Sequence, residues 1–476
     1  MELRDYQVAD LAFYMSKPRC GNFSDPGTGK TPPTCVYMGW MWDEKKVRTI
    51  WAMPKSLRKK NLKELIAWTS WDLDAADVVI VGGSPARRSR IMKMDAKVFI
   101  MGFDCFTRNW PEIVAQHPDI DMLVGDEWHM GFKTDGSQRT QSLYEFMERT
   151  TYLVAMTGTV IDGRLDTCYP LLELCTPGAY IGGHAGFLMA HAIENSYGQI
   201  VAWRDPPRVG RLFKQFAIRH TFEEAYGPEA KVLVYESCEM ASRQREFYDE
   251  FEETALLELE NSWLDGTMPG VNLIRCRQLM EHPQTFGPPL DTIALTGKEE
   301  RLQIHLEDHK RTGKPLIIFS ALTAQHDRLV AQCKKMGFRV GMIDGRVSGA
   351  RRAQIDEDFQ AGLLDIVIAS AATAGVGFNW GHVDHVVFIS LDFMDSSFVQ
   401  AYRRAIRGVR KTPLLITVME YENSVDQKIF AIVEKKSALA HAVDDTKEQI
   451  KLRKPKAKST LKQLPTATFK MGDLIS

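Results

Sequence analysis

Met122-Leu123-Val124-Gly125-Asp126-Glu127-Trp128-His129 is a short apolar run closed by two carboxylates. A run of this length, ending in polar residues, reads as a buried strand, and parallel sheets gather ligand chemistry at the carboxyl ends of their strands. In that setting Asp126 can hold the shell of a magnesium ion, partly through water, and Glu127 can orient and deprotonate a water molecule. An Asp-Glu pair alone is more often an ordinary acidic surface turn.

Its meaning changes with a stretch upstream, Ser24-Asp25-Pro26-Gly27-Thr28-Gly29-Lys30-Thr31. Gly27 and Gly29 let the backbone turn tightly, so that successive N–H groups, that of Thr28 included, can face phosphate oxygens. Lys30 places a cation near the β- and γ-phosphates, and the Thr31 hydroxyl can reach magnesium. Ser24 stands where the strict phosphate-loop pattern has its first glycine. As a lone motif this is also compatible with a Gly-rich turn before a helix. Together and in this order, the two elements predict ATP binding and hydrolysis with magnesium.

Composition agrees with a large enzyme. The chain has 476 residues, 44% of them hydrophobic and 25% charged, enough for two or three domains with substantial cores. No uncharged apolar stretch reaches the length of a membrane span, and Met1-Glu2-Leu3-Arg4-Asp5 does not resemble a signal peptide, so the expected compartment is the cytoplasm. The 8 cysteines form no C-x-x-C pair and are expected as small buried hydrophobes rather than zinc ligands or disulfides. A net charge of −1 does not advertise nucleic acid, although local basic patches can still bind phosphates.

Apolar runs at 48–53, 77–81, 97–101, 122–124 and 151–156 predict strands of one parallel sheet. The pattern becomes helical and charged around 238–285, and a second strand set follows at 315–319, 338–343, 365–369, 385–389 and 414–418. The fold class expected is therefore α/β, with two parallel-sheet domains in tandem. Only the first carries a phosphate loop. In the second, Gln400-Ala401-Tyr402-Arg403-Arg404-Ala405-Ile406-Arg407 predicts a helix with Arg404 and Arg407 on one face. Such a cluster in isolation reads as a solvated basic helix or a phosphate-backbone contact. In a tandem ATPase with one phosphate loop, the better reading is an arginine finger that neutralises charge on the γ-phosphate.

These residues bring the chain close to a known family. From about residue 2 to 437 it resembles a superfamily 2 helicase-type ATPase of the Swi/Snf-like DNA translocase branch. Leu3-Arg4-Asp5-Tyr6-Gln7 is similar to the adenine-reading motif, with Gln7 on the base, and Trp51-Ala52-Met53-Pro54-Lys55-Ser56-Leu57 to the motif that lines a DNA strand. Thr157-Gly158-Thr159, followed by Asp162-Gly163, resembles the element that couples hydrolysis to domain movement. Leu273-Ile274-Arg275-Cys276-Arg277-Gln278-Leu279-Met280-Glu281-His282-Pro283 resembles the "LRQ…HP" helix of the branch, and Ala374-Gly375-Val376-Gly377-Phe378-Asn379 its "GG-x-G-x-N" loop. Asp344-Gly345, with Arg351, Arg352 and Phe359, resembles the stretch before that loop.

The resemblance implies two tandem RecA-like domains: an ATP-binding domain over 1–225, a helical connecting region over 226–290, a helicase domain over 291–440, and a short basic tail over 441–476. It implies catalytic roles for Lys30, Asp126, Glu127, Arg404 and Arg407, and nucleotide contacts from Gln7, Gly27, Thr28, Gly29, Lys30, Thr31 and Gly377. Coupling or DNA contacts are implied for Pro54, Lys55, Ser56, Thr157, Gly158, Thr159, Gly375, Asn379 and Gln400. The expected protein is a monomeric translocase or helicase that closes a cleft on ATP and acts on duplex, forked or branched DNA. The thin accessory material resembles compact bacterial and bacteriophage enzymes of replication, recombination or repair, which would place it in the bacterial host cytoplasm. An RNA helicase of the same superfamily, or a nucleotide-switched scaffold on DNA, is the alternative. Trp128, Val160 and Gly408-Val409-Arg410 depart from the branch pattern without removing a catalytic group.

Elsewhere Trp40, Trp42, Trp68 and Trp71 read as core rather than base-stacking residues, and no carboxylate or cysteine completes a metal site with His184 and His191. Arg87, Arg88, Arg90 and Lys93 read equally as solvated surface or DNA contact. The tail Lys451-Leu452-Arg453-Lys454-Pro455-Lys456-Ala457-Lys458, basic and broken by proline, reads as a mobile segment, with an auxiliary DNA clamp as its functional reading.

Overall fold

Seven parallel strands form the first sheet of this computed structural model, which describes residues 2–72, 76–259, 262–265, 269–374, 377–406, 410–445 and 450. In chain order the strands are β1 (Arg19–Asn22), β2 (Arg48–Met53), β3 (Val78–Ile80), β4 (Val98–Gly102), β5 (Ile120–Asp126) and β6 (Tyr152–Met156). A two-stranded ribbon of β7 (Ala192–Glu194) and β8 (Ile200–Trp203) follows, and β9 (Ala217–Ile218) completes the sheet. The spatial order is β3-β4-β2-β5-β6-β1-β9. β2, β4, β5 and β6 are buried along nearly their whole length, as expected of parallel strands covered on both faces, and this is why they appear in the sequence as continuous apolar runs.

The chain leaves β1, passes over β6 and β5 to β2, crosses to β3 at the edge of the sheet, comes back to β4 between β3 and β2, and returns to β5 and β6. Three loops distant in sequence therefore emerge side by side at the carboxyl ends of β1, β6 and β5. Register fixes how closely: Asn22 pairs with Met156, and Met156 pairs with Asp126.

The second sheet has six strands in the order β10-β17-β16-β13-β15-β14, again all parallel. They are β10 (Lys231–Cys238), then, after an antiparallel ribbon of β11 (Leu256–Leu259) and β12 (Ser262–Asp265), β13 (Leu316–Phe319), β14 (Val340–Ile343), β15 (Ile366–Ala369), β16 (His385–Phe388) and β17 (Leu414–Tyr421). All ten strands expected from apolar runs are present. The expectation differs from the structure at β10, which lies inside the stretch read as a helical connecting region yet pairs with β17 along eight residue pairs. Its burial is only partial over most of its length, which hid it from a search for apolar runs.

Two compact units result. Unit 1 comprises Met1–Ala192, Trp203–Glu229 and Lys436–Gln449, and unit 2 comprises Ile193–Ala202, Ala230–Lys435 and Ile450–Ser476. Residues 436–440, read with the second domain, thus belong to the first unit. The basic stretch from Lys451 onward lies outside the described residues.

Within unit 2 the helix Pro269–Glu281, the one that resembles "LRQ…HP", is held at its end by two devices. The Gln244 side-chain amide donates to the carbonyl oxygens of Leu279 and Met280 at 2.9 and 2.7 Å, groups that a helix terminus leaves unsatisfied. Glu281 is paired with Lys298 at 2.7 Å, and Lys298 also meets Asp426 at 2.7 Å. The Lys298 side chain is 0% exposed. Burial alone would depress the ammonium, but Asp426 and Glu281 outweigh it and hold the Lys298 pKa above its ordinary value.

Removing one partner from such a cluster leaves the others buried without compensation. Lys298→Ala should destabilise unit 2 by about 3–5 kcal/mol, read as a lowered denaturant midpoint. A change below about 1 kcal/mol, within the range of an exposed ion pair, would contradict the triad's role.

Candidate active site

The phosphate-loop stretch begins just beyond β1 and ends at helix Thr31–Lys45, for which Lys30 is the N-cap. Gly27 and Gly29 have φ of 92° and 82°, a region that side chains disfavour, so the turn requires glycine at both. Pro32 and Pro33 occupy the first turn and carry no N–H, so the helix contributes its positive dipole end, with the Thr31 N–H, to this place, which suits an anion. The Lys30 ammonium donates to the carbonyl oxygens of Ser24 at 2.7 Å and Asp25 at 3.2 Å. Burial depresses its pKa while Glu127 and Asp126 pull the other way, so the lysine and the acidic pair feel one another's charge.

Three successive loop carbonyls are held from outside. Tyr226 donates to Gly27 O at 3.1 Å, Tyr6 to Thr28 O at 2.6 Å and the Gln7 amide to Gly29 O at 2.8 Å. These bonds fix the course of the loop, and within it Thr28 N donates to Asp25 O at 3.3 Å. Gln7, expected on a base, is buried, and its amide oxygen accepts from Arg4 N at 3.0 Å.

At the end of β5, Asp126 is 8% exposed. One carboxylate oxygen accepts from the Asn61 amide at 2.7 Å and the other from Glu127 N at 3.0 Å. Burial first, and the negative charge of Glu127 second, raise its pKa to about 6. Asp126 is desolvated, with the half-buried Glu127 beside it. Asp126 and Thr31 are the residues that would hold magnesium, which would supply charge neutralisation to bound phosphates. Glu127 adopts φ 50° and ψ 53°, a left-handed conformation uncommon for a side-chain-bearing residue. Strain of this kind gathers at functional turns.

The turn continues into His129, whose Nδ1 bonds the Thr157 hydroxyl at 2.8 Å and lies 3.7 Å from a Glu127 carboxylate oxygen. Thr157 in turn donates to Thr159 O at 2.9 Å. Gly158 is packed so closely on the phosphate loop that a Cβ would come within 2.8 Å of Pro26 Cδ. The acidic turn, Thr157-Gly158-Thr159 and the phosphate loop are therefore one contiguous hydrogen-bonded and packed unit. Trp128, the departure from the family pattern, lies over Gly125, where a Cβ would meet the indole at 2.5 Å, and against Phe132 at 4.8 Å between centroids. It fills core.

Pro54 is half-buried and Lys55 and Ser56 are exposed, just past the carboxyl end of β2. In unit 2, helix Asp395–Tyr402 carries the buried Gln400, and it ends before Arg404. The expected helical pairing of Arg404 with Arg407 is thus corrected: Arg404 sits in the turn after the helix, where its carbonyl accepts from Trp380 N at 2.8 Å. That bond places the Arg404 turn beside the loop of Gly377, with φ 96°, and the exposed Asn379. Arg407 and Gly375 lie outside the described residues.

Several contributors escaped the sequence reading. His129 and Tyr6 stood inside quoted motifs without a role, and their neighbours were the available signal. Asn61 and Tyr226 carried none, because only the fold brings them near. Tyr226→Phe removes one of the three carbonyl anchors, worth about 0.5–1.5 kcal/mol. Amide hydrogen exchange should rise at residues 27–30 while β5 and β6 keep their protection. Unchanged exchange at 27–30 would contradict the anchoring role.

Comparison with known proteins bears on the same residues. Residues 15–285 match the SNF2-related domain, and residues 297–409 match the helicase conserved C-terminal domain. The chain is 24% identical over 488 residues to the ISWI chromatin-remodeling complex ATPase ISW1 of Saccharomyces cerevisiae, covering 96% of this chain and 42% of that protein. It is 24% identical over 472 residues to the human SWI/SNF-related matrix-associated actin-dependent regulator of chromatin subfamily A member 1, covering 92% and 43%. The chain spans less than half the length of these relatives. Among solved structures, the Sulfolobus solfataricus SWI2/SNF2 ATPase core in complex with dsDNA gives a TM-score of 0.42 at 17% identity, covering 94% of this chain and 93% of that one. Because the SNF2-related match takes in more than half of the chain, from before the phosphate loop to beyond the acidic pair, this chain belongs to the SNF2-related family.

Proposed function

We propose that the chain is an ATP- and magnesium-dependent DNA translocase. The observation that carries the reading is the register Asn22–Met156–Asp126, which sets a phosphate cradle and an acidic pair at the ends of neighbouring strands. ATP would lie along the backbone N–H groups of residues 27–31, with Lys30 at its outer phosphates. Glu127 would orient and deprotonate the attacking water, and His129 would hold the acidic turn to Thr157. Arg404 and Arg407 are assigned the neutralisation of charge that develops on the γ-phosphate. Membership of the family supports duplex DNA as the polymer, and Lys55 and Ser56 are the exposed residues we assign to its backbone. Replication, recombination or repair on forked or branched DNA, in a compact enzyme of bacteriophage or bacterial type, is the finer reading that the resemblance supports.

Lys30→Ala should lose both binding and hydrolysis of ATP. Glu127→Gln should retain binding and lose hydrolysis, because it removes the base and leaves the cradle intact. Near wild-type turnover by Glu127→Gln would refute the assignment of the base.

Arg404→Ala should lower turnover by roughly 10³, the scale of an arginine finger, with a smaller loss of ATP affinity. A variant impaired only in DNA binding would assign Arg404 to the polymer instead.

ATPase activity should rise strongly with duplex DNA and weakly with RNA. The contacts proposed are to phosphates, so the stimulation should be insensitive to sequence and fall steeply with salt. Equal stimulation by RNA would favour an RNA helicase. Forked duplex should stimulate most, and equal response to linear and forked duplex would remove the branched-substrate reading alone.

A further inference from the structure

Arg219 belongs to none of the motifs above, yet it touches the stem of the phosphate loop. Its guanidinium donates to Phe23 O at 2.9 Å and to the Asp25 carboxylate at 3.0 Å, and its Nε meets the Asp444 carboxylate at 2.8 Å. The other Asp25 oxygen accepts from Phe222 N at 3.1 Å, and the Ser24 hydroxyl accepts from His220 N at 2.9 Å. Residues 219–222 and the loop stem are thus one bonded block. Asp25 is 8% exposed, and a desolvated carboxylate beside a phosphate site requires a fixed cation. A planar guanidinium with donors on three edges fits that task in a way an ammonium does not.

The third edge of Arg219 is taken by Asp444, just past the end of the last helix among the described residues. Asp444 directly follows helix Val425–Val443, and residues 436–449 belong to unit 1. Val443 seats against helix Pro206–Phe216 at Gly210, where an added Cβ would collide with the Val443 carbonyl oxygen. A glycine inside a helix costs about 0.5–1 kcal/mol relative to alanine, and the close approach of Val443 accounts for it here. Beside this contact lies an open pocket of about 240 Å³, lined by Phe23, Phe213, Ala440 and Val443 together with Arg219 and Asp444.

We propose that Arg219 is a positioning residue for the phosphate loop and that residues 436–444, through Asp444, set its position, so that seating of this segment and nucleotide affinity are coupled. The inference rests on reading the loop as the ATP site. The coupling is reciprocal: loosening the segment weakens nucleotide binding, and bound nucleotide holds the segment down.

The test is equilibrium titration of the full chain with a fluorescent ATP analogue, alongside thermal unfolding and steady-state kinetics. Asp444→Asn and Gly210→Ala, neither of which touches nucleotide, should each raise Kd and KM by about tenfold, the scale of one hydrogen bond to a charged group, with much less change in kcat. Arg219→Ala should be at least as severe, Arg219→Lys intermediate, and Asp444→Asn should add nothing on top of Arg219→Ala. If Gly210→Ala fails to fold, Asp444→Asn decides, since that carboxylate is partly exposed. Wild-type binding by folded Asp444→Asn would overturn the coupling and leave the ATP site standing. Absence of binding by the wild type, equal to Lys30→Ala, would remove the ATP-site reading and this inference with it.

Discussion

Parallel pairing of β6 with β1 on one side and β5 on the other is the constraint on which everything else in unit 1 depends. It sets Asn22, Met156 and Asp126 in one row, so the loops that leave these strands cannot avoid one another. Each loop then carries a group the others need. The phosphate loop brings a helix N-terminus and Lys30, the end of β5 brings two carboxylates, and the end of β6 leads to Thr157, whose hydroxyl donates to Thr159 O and accepts from His129. The close approach of Gly158 to Pro26 closes the row.

The acidic pair shows how such a row stores chemistry. Asp126 is buried beside another carboxylate, and its pKa rises to about 6 as a result. Glu127 stands in a left-handed backbone conformation that the surrounding bonds impose. Both features are unfavourable for folding alone, and a cation with phosphates relieves the first. Stability for the strain comes from elsewhere, as in the apolar strands on either side and the Trp128 indole packed over Gly125.

Much of this was legible in the sequence for a physical reason. Strands buried on both faces must be apolar throughout, so β2, β4, β5 and β6 announce themselves, as do glycines at positive φ in a phosphate loop. β1 did not, because Arg19-Cys20-Gly21-Asn22 is short and mixed in polarity, and only the loop after it marks its place. β10 was hidden by its partial burial. Arg219, Tyr226, Asn61 and Asp444 were illegible in principle: each acts on a residue far away in sequence, and its type at its position carries no local signal. The helix expected to carry both arginines stopped at Tyr402, since the backbone after it turns to bond the segment at Trp380.

If ATP turnover at this row drives movement along duplex DNA, as proposed, the chain displaces a third strand from a triplex. A duplex carrying a triplex-forming oligonucleotide downstream of a loading region is mixed with the full chain, ATP and magnesium, and release of the labelled third strand is followed in time. Translocation gives release that requires ATP, is lost in Glu127→Gln and occurs without separation of the duplex strands. ATP hydrolysis stimulated by that duplex with no release of the third strand would contradict it.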